Sequence, residues 1–434
     1  MFLNVVNTSM SLTGNDEDLQ ADGTYNVENP YTQKSGYGTY AIGNAQETFL
    51  GTTMDVGTYA TIFTGGVGYY GNLTAGESYE LSAADGSTHY TYEAKEDVST
   101  VINSDTFGFM SHQGDNECTL DGITVNSAFT DFIIKSGNNT TINVINDAKI
   151  NAENGILLQL LDNDDSTTEF NPNDETVGMA FGTSHEEYAG FPTEAVDITA
   201  ESDNSLADTL VAGGQPEDMG SPEGNAPDGA PGGAPGGAPG GAPGGAPGGA
   251  PGGAPGGEDQ TTVNQSVYNI KDSVLTGAIY NGIGWKANDL SQGKVKQMLL
   301  DVNLSGTAAL SGPIASTACI HATYDGQNYL KENKITAFDN DADAAAFAAD
   351  YQATSFTLAE YFNIGQVANL VKSNGLNDIN VTLADSAVWT VTDTSLITSL
   401  KISDDAQVII EDGVTLSVNG TVYEAGTYTA ADFQ

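Results

Sequence analysis

Phe107-Gly108-Phe109-Met110, Phe132-Ile133-Ile134 and Ile156-Leu157-Leu158 are three apolar runs whose starts lie 25 (132 − 107) and 24 (156 − 132) residues apart. A polar turn and a stretch of alternating apolar and polar residues follow the first two, at residues 119–125 and 141–150. Alternation sends successive side chains to opposite faces of a strand. A period of about 20–25 residues with two or three short strands per repeat is what one coil of a parallel β-helix needs. Stacked coils bury a column of Ile, Val, Leu and Phe and leave Asn, Asp and Thr for turns and outer faces. A β-sandwich explains the alternation but not the near-constant interval. The expectation is therefore an all-β fold built as a solenoid.

The same period-two pattern recurs at Thr141-Ile142-Asn143-Val144, Val381-Thr382-Leu383 and Val414-Thr415-Leu416-Ser417-Val418. Turn-forming pairs such as Asp121-Gly122, Asn154-Gly155, Asp412-Gly413 and Asn419-Gly420 separate the strands. One stretch reads as helix. Residues 341–351 are Ala-rich, and Leu358, Tyr361, Phe362, Ile364, Val367, Leu370 and Val371 approximate a helical stripe, so a short helical segment is expected near 341–375.

Proline recurs every fourth residue from Pro227 to Pro255, seven intervals of largely Gly-Ala-Pro-Gly. Collagen needs Gly at every third position, so a period of four excludes it. The tract has no large apolar side chain to bury, while ordering a residue costs about 1–2 kcal/mol of backbone entropy. It reads as a disordered, solvated loop or linker. The organisation expected is a Tyr/Gly-rich β-helix part over 1–210, an acidic and then low-complexity linker over 211–262, and a β-helix part with closing coils over 263–434.

The 434 residues carry 58 Asp+Glu against 12 Lys+Arg, a formal charge of −46, and every basic residue is Lys. Nucleic-acid binding needs a Lys/Arg stripe, which is missing, and an anionic bilayer would repel the chain. With 39% hydrophobic residues, full disorder is excluded. Membrane insertion is not expected, because no window approaches 18 consecutive apolar residues. The start lacks a basic, apolar signal-peptide pattern, so a mature or truncated segment of an exported protein is expected. Cys118 and Cys319, one on each side of the proline-rich tract, read as small buried hydrophobes, with a single clamp between them the alternative.

Asn103-Ser104-Asp105-Thr106-Phe107-Gly108-Phe109-Met110, Phe132-Ile133-Ile134-Lys135-Ser136-Gly137 and Asn154-Gly155-Ile156-Leu157-Leu158-Gln159-Leu160 together resemble the right-handed β-helix surface proteins of anaerobic gut bacteria. The run from Leu383 to Leu400, with Trp389 inside it, is similar to the closing coils of autotransporter-passenger adhesins, where a Trp packs into the last rungs. The resemblance implies a right-handed coil and a secreted or cell-surface, adhesin-like protein. The function expected is non-enzymatic: a long, rigid surface of polar ladders that binds a glycan or matrix, on a host or bacterial surface, through its long polar face. Polyuronate lyases and hydrolases share that architecture. Their constellations need an Arg that this chain lacks, and a polyanionic sugar would be repelled. A neutral-glycan hydrolase, with two carboxylates about 5–10 Å apart, and a passive stalk remain the alternatives.

Candidate sites are few. His89, His112, His185 and His321 have no metal-ligand spacing. The densest acidic run, with Asp162, Asp164, Asp165, Glu169 and Asp174, suits Ca²⁺ if any cofactor binds, although it fails as an EF-hand at Thr167 and Asn173. Ten of the 19 tyrosines fall in the first hundred residues. Tyr59, Tyr69, Tyr70, Tyr90 and Tyr92 are candidates to stack on neutral sugars, against the competing role of filling strand positions. The acidic surface predicts a melting temperature that rises between about 10 mM and about 150 mM salt as self-repulsion is screened. A melting temperature insensitive to both salt and EDTA would remove surface repulsion and bound calcium as factors in this fold.

Overall fold

The computed structural model describes residues 1–12, 38–83, 89–135, 139–161, 176–177, 262–283, 296–322, 324–351, 356–357 and 367–433. The described chain is mostly strand, and nearly all pairing is parallel. It visits three sheets in a repeating order. The first set of three is β1 (Phe2–Val6), β2 (Ser9–Leu12) and β3 (Thr39–Ile42), one strand in each sheet. The next is Gln46–Leu50, Thr53–Val56 and Thr61–Thr64, each strand pairing in parallel with its counterpart one circuit earlier. The first sheet has nine strands and ends at Ser399–Ile402, and the third has eleven and contains the three apolar runs. Phe109, Phe132 and Leu158 are paired residues on neighbouring strands of that third sheet, 23 (132 − 109) and 26 (158 − 132) residues apart. The second sheet is split. Its five strands ending at Lys149–Ala152 do not pair with the five beginning at Val274–Thr276, and a cleft of about 330 Å³ lies between them.

Register fixes the core. In the first sheet Phe49, Tyr70, Leu120, Val144, Ile270, Leu304 and Leu383 are successive partners. All are at most 1% exposed. The step from Val144 to Ile270 joins the two flanks of the proline-rich tract directly, and one apolar cluster holds residues of all three sheets from both flanks. The tract itself lies outside the described residues. Phe109 and Phe132 stack with centroids 5.5 Å apart, and Phe63 lies 6.5 and 6.4 Å from them. Trp389 is fully buried and donates its Nε1–H to the Gly312 carbonyl at 2.9 Å.

The corner between the first and second sheets explains much of the Gly/Asn/Asp content. Asn7, Gly51, Gly122, Asn146, Asp272, Gly306 and Asp385 sit there with φ from 49° to 67°. This left-handed region is open to Gly and best tolerated among other residues by Asn and Asp. The bend keeps the ladder continuous, since the Gly122, Asn146 and Asp272 amides each donate to a carbonyl of the following coil, Ile145, Lys271 and Ser305. It also divides stretches that read as single strands. Residues 119–125 belong to Asn116–Asp121 and Thr124–Ser127, and residues 141–150 to Thr140–Ile145 and Lys149–Ala152.

The helical expectation needs correcting. Asp341–Tyr351 is a helix, but Val367–Val371 is a strand paired antiparallel with Thr317–His321. The apolar spacing suits either structure, and the strand edge of Ile314–His321 decides between them by supplying partners for the backbone amides. Asn369 secures the docking, donating to Gln159 Oε1 at 2.8 Å and accepting from Thr317 Oγ1 at 2.9 Å. Residues 358–366 of the expected stripe lie outside the described residues. Both cysteines are buried thiols, Cys118 inside the main core and Cys319 in a separate cluster on the third sheet, and they do not form a disulfide.

Phe132→Ala removes a fully buried ring from the stacked column, with an expected cost of about 3–5 kcal/mol in denaturant unfolding. Val422→Ala, at a site 58% exposed, serves as the comparison and is expected to stay within about 0.5 kcal/mol of the parent.

Candidate functional site

The five N-terminal tyrosines do not form one surface. Tyr59 is 3% exposed and stacks on Phe107, and Tyr70 is fully buried and stacks on Phe49. Neither presents a face to a ligand. Tyr69 is half-buried and donates its hydroxyl to Asp121 Oδ2 at 2.7 Å; burial and that carboxylate hold its phenol above the usual range. Tyr92 pairs with Tyr79 in the hairpin of Ser78–Ser82 and His89–Glu93, and both pack against Leu50 and Leu73. Of the five, Tyr90 alone is strongly exposed, at 59%. The calcium candidates Asp162, Asp164, Asp165, Glu169 and Asp174 lie outside the described residues. Among the described residues no cluster of three or more His, Cys, Asp or Glu could hold a metal, and no helix is long and apolar enough to cross a membrane.

Two outer faces carry amide ladders. Asn103 donates to Asp55 Oδ1 at 2.7 Å, Asn126 to Asn103 at 2.8 Å and Asn151 to Asn126 at 2.8 Å on the second sheet. On the first sheet Asn143 donates to Thr119 at 3.2 Å, Asn269 to Asn143 at 2.8 Å and Asn303 to Asn269 at 3.0 Å. Each rung uses one of its two amide N–H donors on its neighbour, which leaves a regular polar surface that repeats from strand to strand.

A concavity larger than the cleft of the second sheet lies elsewhere, on the insertion between Ile314–His321 and Ile379–Leu383. Helix α1 (Tyr324–Glu332) ends at Lys334, in the left-handed region at φ 55°, where the Ile335 amide bonds back to the Leu330 carbonyl at 2.9 Å. Asn340 caps helix α2 (Asp341–Tyr351): its Oδ1 accepts from the Asp343 amide at 3.0 Å, and its Nδ2 donates to Asp343 Oδ2 at 2.9 Å. Ala344, Phe347 and Ala348 bury one face of α2 against Ala318, Leu330, Ala368 and Leu370. Gly326 allows close approach of the helices, since a Cβ there would lie 2.7 Å from Tyr351 Cβ.

The resulting cleft has a volume of about 550 Å³ and is lined by Tyr329, Phe338, Phe347 and Tyr351 together with Asp339, Asp343 and Asp350. Tyr329 and Tyr351 stack with centroids 5.1 Å apart, Phe347 lies 5.1 Å from Tyr351, and Phe338 lies 5.3 Å from Phe347. Tyr329 is 39% exposed and all three carboxylates face solvent. Two lysines of the insertion are engaged with other acids, Lys331 with Glu153 at 3.5 Å and Lys372 with Asp341 at 3.6 Å. Beyond the rim, burial raises the Asp393 carboxyl above its usual range; the Thr394 amide works against this and the Asp339 charge adds to it. The aromatic wall was not anticipated. Its signal was present as Phe347 and Tyr351 four apart, interleaved with Asp343 and Asp350 in a run that reads as merely Ala-rich.

Comparison with protein-family models, with curated proteins and with solved structures gives no match.

Two buried carboxyls lie in the interior and not in the cleft. Glu47, 4% exposed, accepts from Tyr70 at 2.6 Å and Thr61 at 2.7 Å; burial raises its pKa while those hydroxyls pull it back. Asp131 is 1% exposed, its Oδ1 has no hydrogen-bond partner, and burial pushes its pKa up to about 8. An acid whose folded pKa exceeds its unfolded value stabilises the fold most below the unfolded pKa, and that contribution is lost as pH rises through the folded one. From about pH 4 to about pH 8 Asp131 therefore lowers stability progressively as pH rises. Asp131→Asn, neutral throughout, is expected to gain steadily on the parent in thermal melts from about pH 5 to about pH 8. A constant difference across that range would show that Asp131 does not titrate with the fold.

Proposed function

We propose that this chain is a right-handed parallel β-helix of an exported, adhesin-like protein, and that it binds neutral glycan in the cleft of the α1–α2 insertion without catalysing a reaction. The cyclic order of strands among three parallel sheets supports the coil. The carrying observation for function is the cleft, in which the partly exposed rings of Tyr329, Phe338 and Tyr351 meet three solvent-facing carboxylates. Pyranose rings offer C–H faces to aromatic side chains and hydroxyl donors to carboxylates. A polyanionic sugar meets the −46 charge and is repelled.

A glycan array followed by titration calorimetry tests this. Tyr329→Ala is expected to weaken binding about tenfold, the loss of roughly one ring-stacking contact. Asp350→Asn is expected to weaken it by several-fold, and Tyr90→Ala to leave it unchanged. Binding that survives both cleft substitutions would remove the cleft from the mechanism. One observation favours a second reading, a neutral-glycan hydrolase: the raised Asp393 carboxyl beside Asp339 has the acid and carboxylate contrast such enzymes use. Release of reducing ends, abolished by Asp393→Asn, would establish that reading in place of the first.

A further inference from the structure

The cleft of the insertion is electrostatically one-sided. Asp339, Asp343 and Asp350 line it beside the partly exposed rings of Tyr329, Phe338 and Tyr351, and among the described residues its lining holds no Lys, Arg or His. The chain around it carries the same bias, since residues 335–371 contain five Asp or Glu and no Lys, Arg or His. Two lysines of the insertion are turned to other partners. Lys331 bonds to Glu153, and its ammonium lies 4.8 Å from the centre of the Phe129 ring. Lys372 pairs with Asp341 at the start of α2. Lys334, just past the end of α1, is exposed and stands outside the lining. Helix α2 adds to the field. The carbonyl end of a helix carries about half a negative charge, and α2 has no basic residue in its last turn, where Asp350 and Tyr351 face the cleft. Helix α1, by contrast, has Lys331 in its last turn.

Aromatic faces attract a cation held within about 6 Å of the ring centre. A protonated amine also donates charge-assisted hydrogen bonds to carboxylates, roughly twice as strong as neutral ones. A neutral sugar stacks on the rings and donates from its hydroxyls, but it leaves three like charges uncompensated. A sugar that carries an ammonium group uses the rings and the charges together. We propose that the preferred ligand of this cleft is a glycan bearing a protonated primary amine, an amino sugar whose nitrogen is not acylated. This rests on the glycan reading above and goes beyond the neutral sugar of that reading. The −46 charge that repels a polyanionic sugar draws such a ligand towards the chain. The rings and carboxylates of the cleft then fix where it binds.

Titration calorimetry of the full chain tests it, with a β-1,4-linked glucosamine tetrasaccharide and its fully N-acetylated counterpart as probes. The amine form is expected to bind about tenfold tighter at about 20 mM salt, and only about twofold tighter at about 500 mM. Asp339→Asn with Asp350→Asn is expected to bring the ratio of the two affinities close to one. Asp404→Asn with Asp405→Asn removes as much charge from an exposed turn outside the cleft and is expected to leave the ratio unchanged. Equal binding of both sugars overturns the proposal and leaves the glycan reading standing, whereas binding of neither removes both. An advantage that survives the cleft substitutions, or falls as far in the control, belongs to the surface charge as a whole and overturns the proposal. So does a simple alkylamine that binds as tightly as the amino sugar, since the sugar ring then contributes nothing.

Discussion

In-register parallel pairing of strands within each sheet is the constraint on which this structure depends. Neighbouring strands in a ladder lie about 4.8 Å apart, and in-register pairing puts each side chain against the one above and the one below. A position inside the stack therefore has no freedom to be polar in one coil and apolar in the next without a local partner. The column from Phe49 to Leu383 obeys this throughout. The polar exceptions are paired within the interior. Asn377, fully buried, donates to the carbonyls of Asn281 and Thr317 at 3.2 and 3.1 Å, and Ser316 donates to the Asn377 carbonyl at 2.7 Å. Asp131 Oδ1, the Tyr268 hydroxyl and Gln327 Nε2 are exceptions, and Asp131 is the one that burial drives towards its neutral form.

The parallel β architecture was legible because it is encoded by repetition. Three apolar runs at similar intervals and a supply of Gly, Asn and Asp for the left-handed corner carry the pattern without reference to any particular partner. The intervals were readable only to within two residues. Phe107 lies before its strand and packs outward on Tyr59 and Phe129, while Phe109 is the one that joins the column. The five tyrosines illustrate the limit. Tyr69 and Tyr70 are adjacent, and one residue of strand alternation separates a half-buried phenol from a fully buried one. Composition cannot see which face is which. The strand Val367–Val371 was misread as helix for a related reason: its partner lies about 50 residues earlier in sequence, and no local pattern announces a non-local edge.

The position of the cleft follows from where the stack tolerates interruption. Early coils pass from the third sheet to the first in a few residues, from Thr64 to Val67 and from Gln113 to Asn116. Three later ones do not. The chain leaves at Leu161, Gly282 and His321 and re-enters at Thr262, Lys296 and Ile379, always through the same corner. Loop-closure entropy rises only with the logarithm of length, so once the corner is opened a long insertion costs little more than a short one. The register on either side is held by the other strands of the coil. An insertion there can acquire its own small core, as α1 and α2 do around Ala344, Phe347 and Leu370, without disturbing the column behind it.

That separation matters for how the surface can work. The amide ladders are regular because each rung repeats the last, so no rung differs from its neighbours. Recognition of a particular ligand needs a local arrangement that differs from the surrounding repeat, with carboxylates and partly exposed aromatic rings close together. In this chain those conditions meet where the repeat is broken. Asp339, Asp343 and Asp350 stand at the rim of the aromatic wall, and Lys331 and Lys372 are engaged with Glu153 and Asp341. A scaffold this uniform gains a distinctive site by insertion more readily than by substitution along a strand. A side chain altered within the ladder must satisfy neighbours above and below, and one placed on the helical pair answers only to the small cluster beneath it.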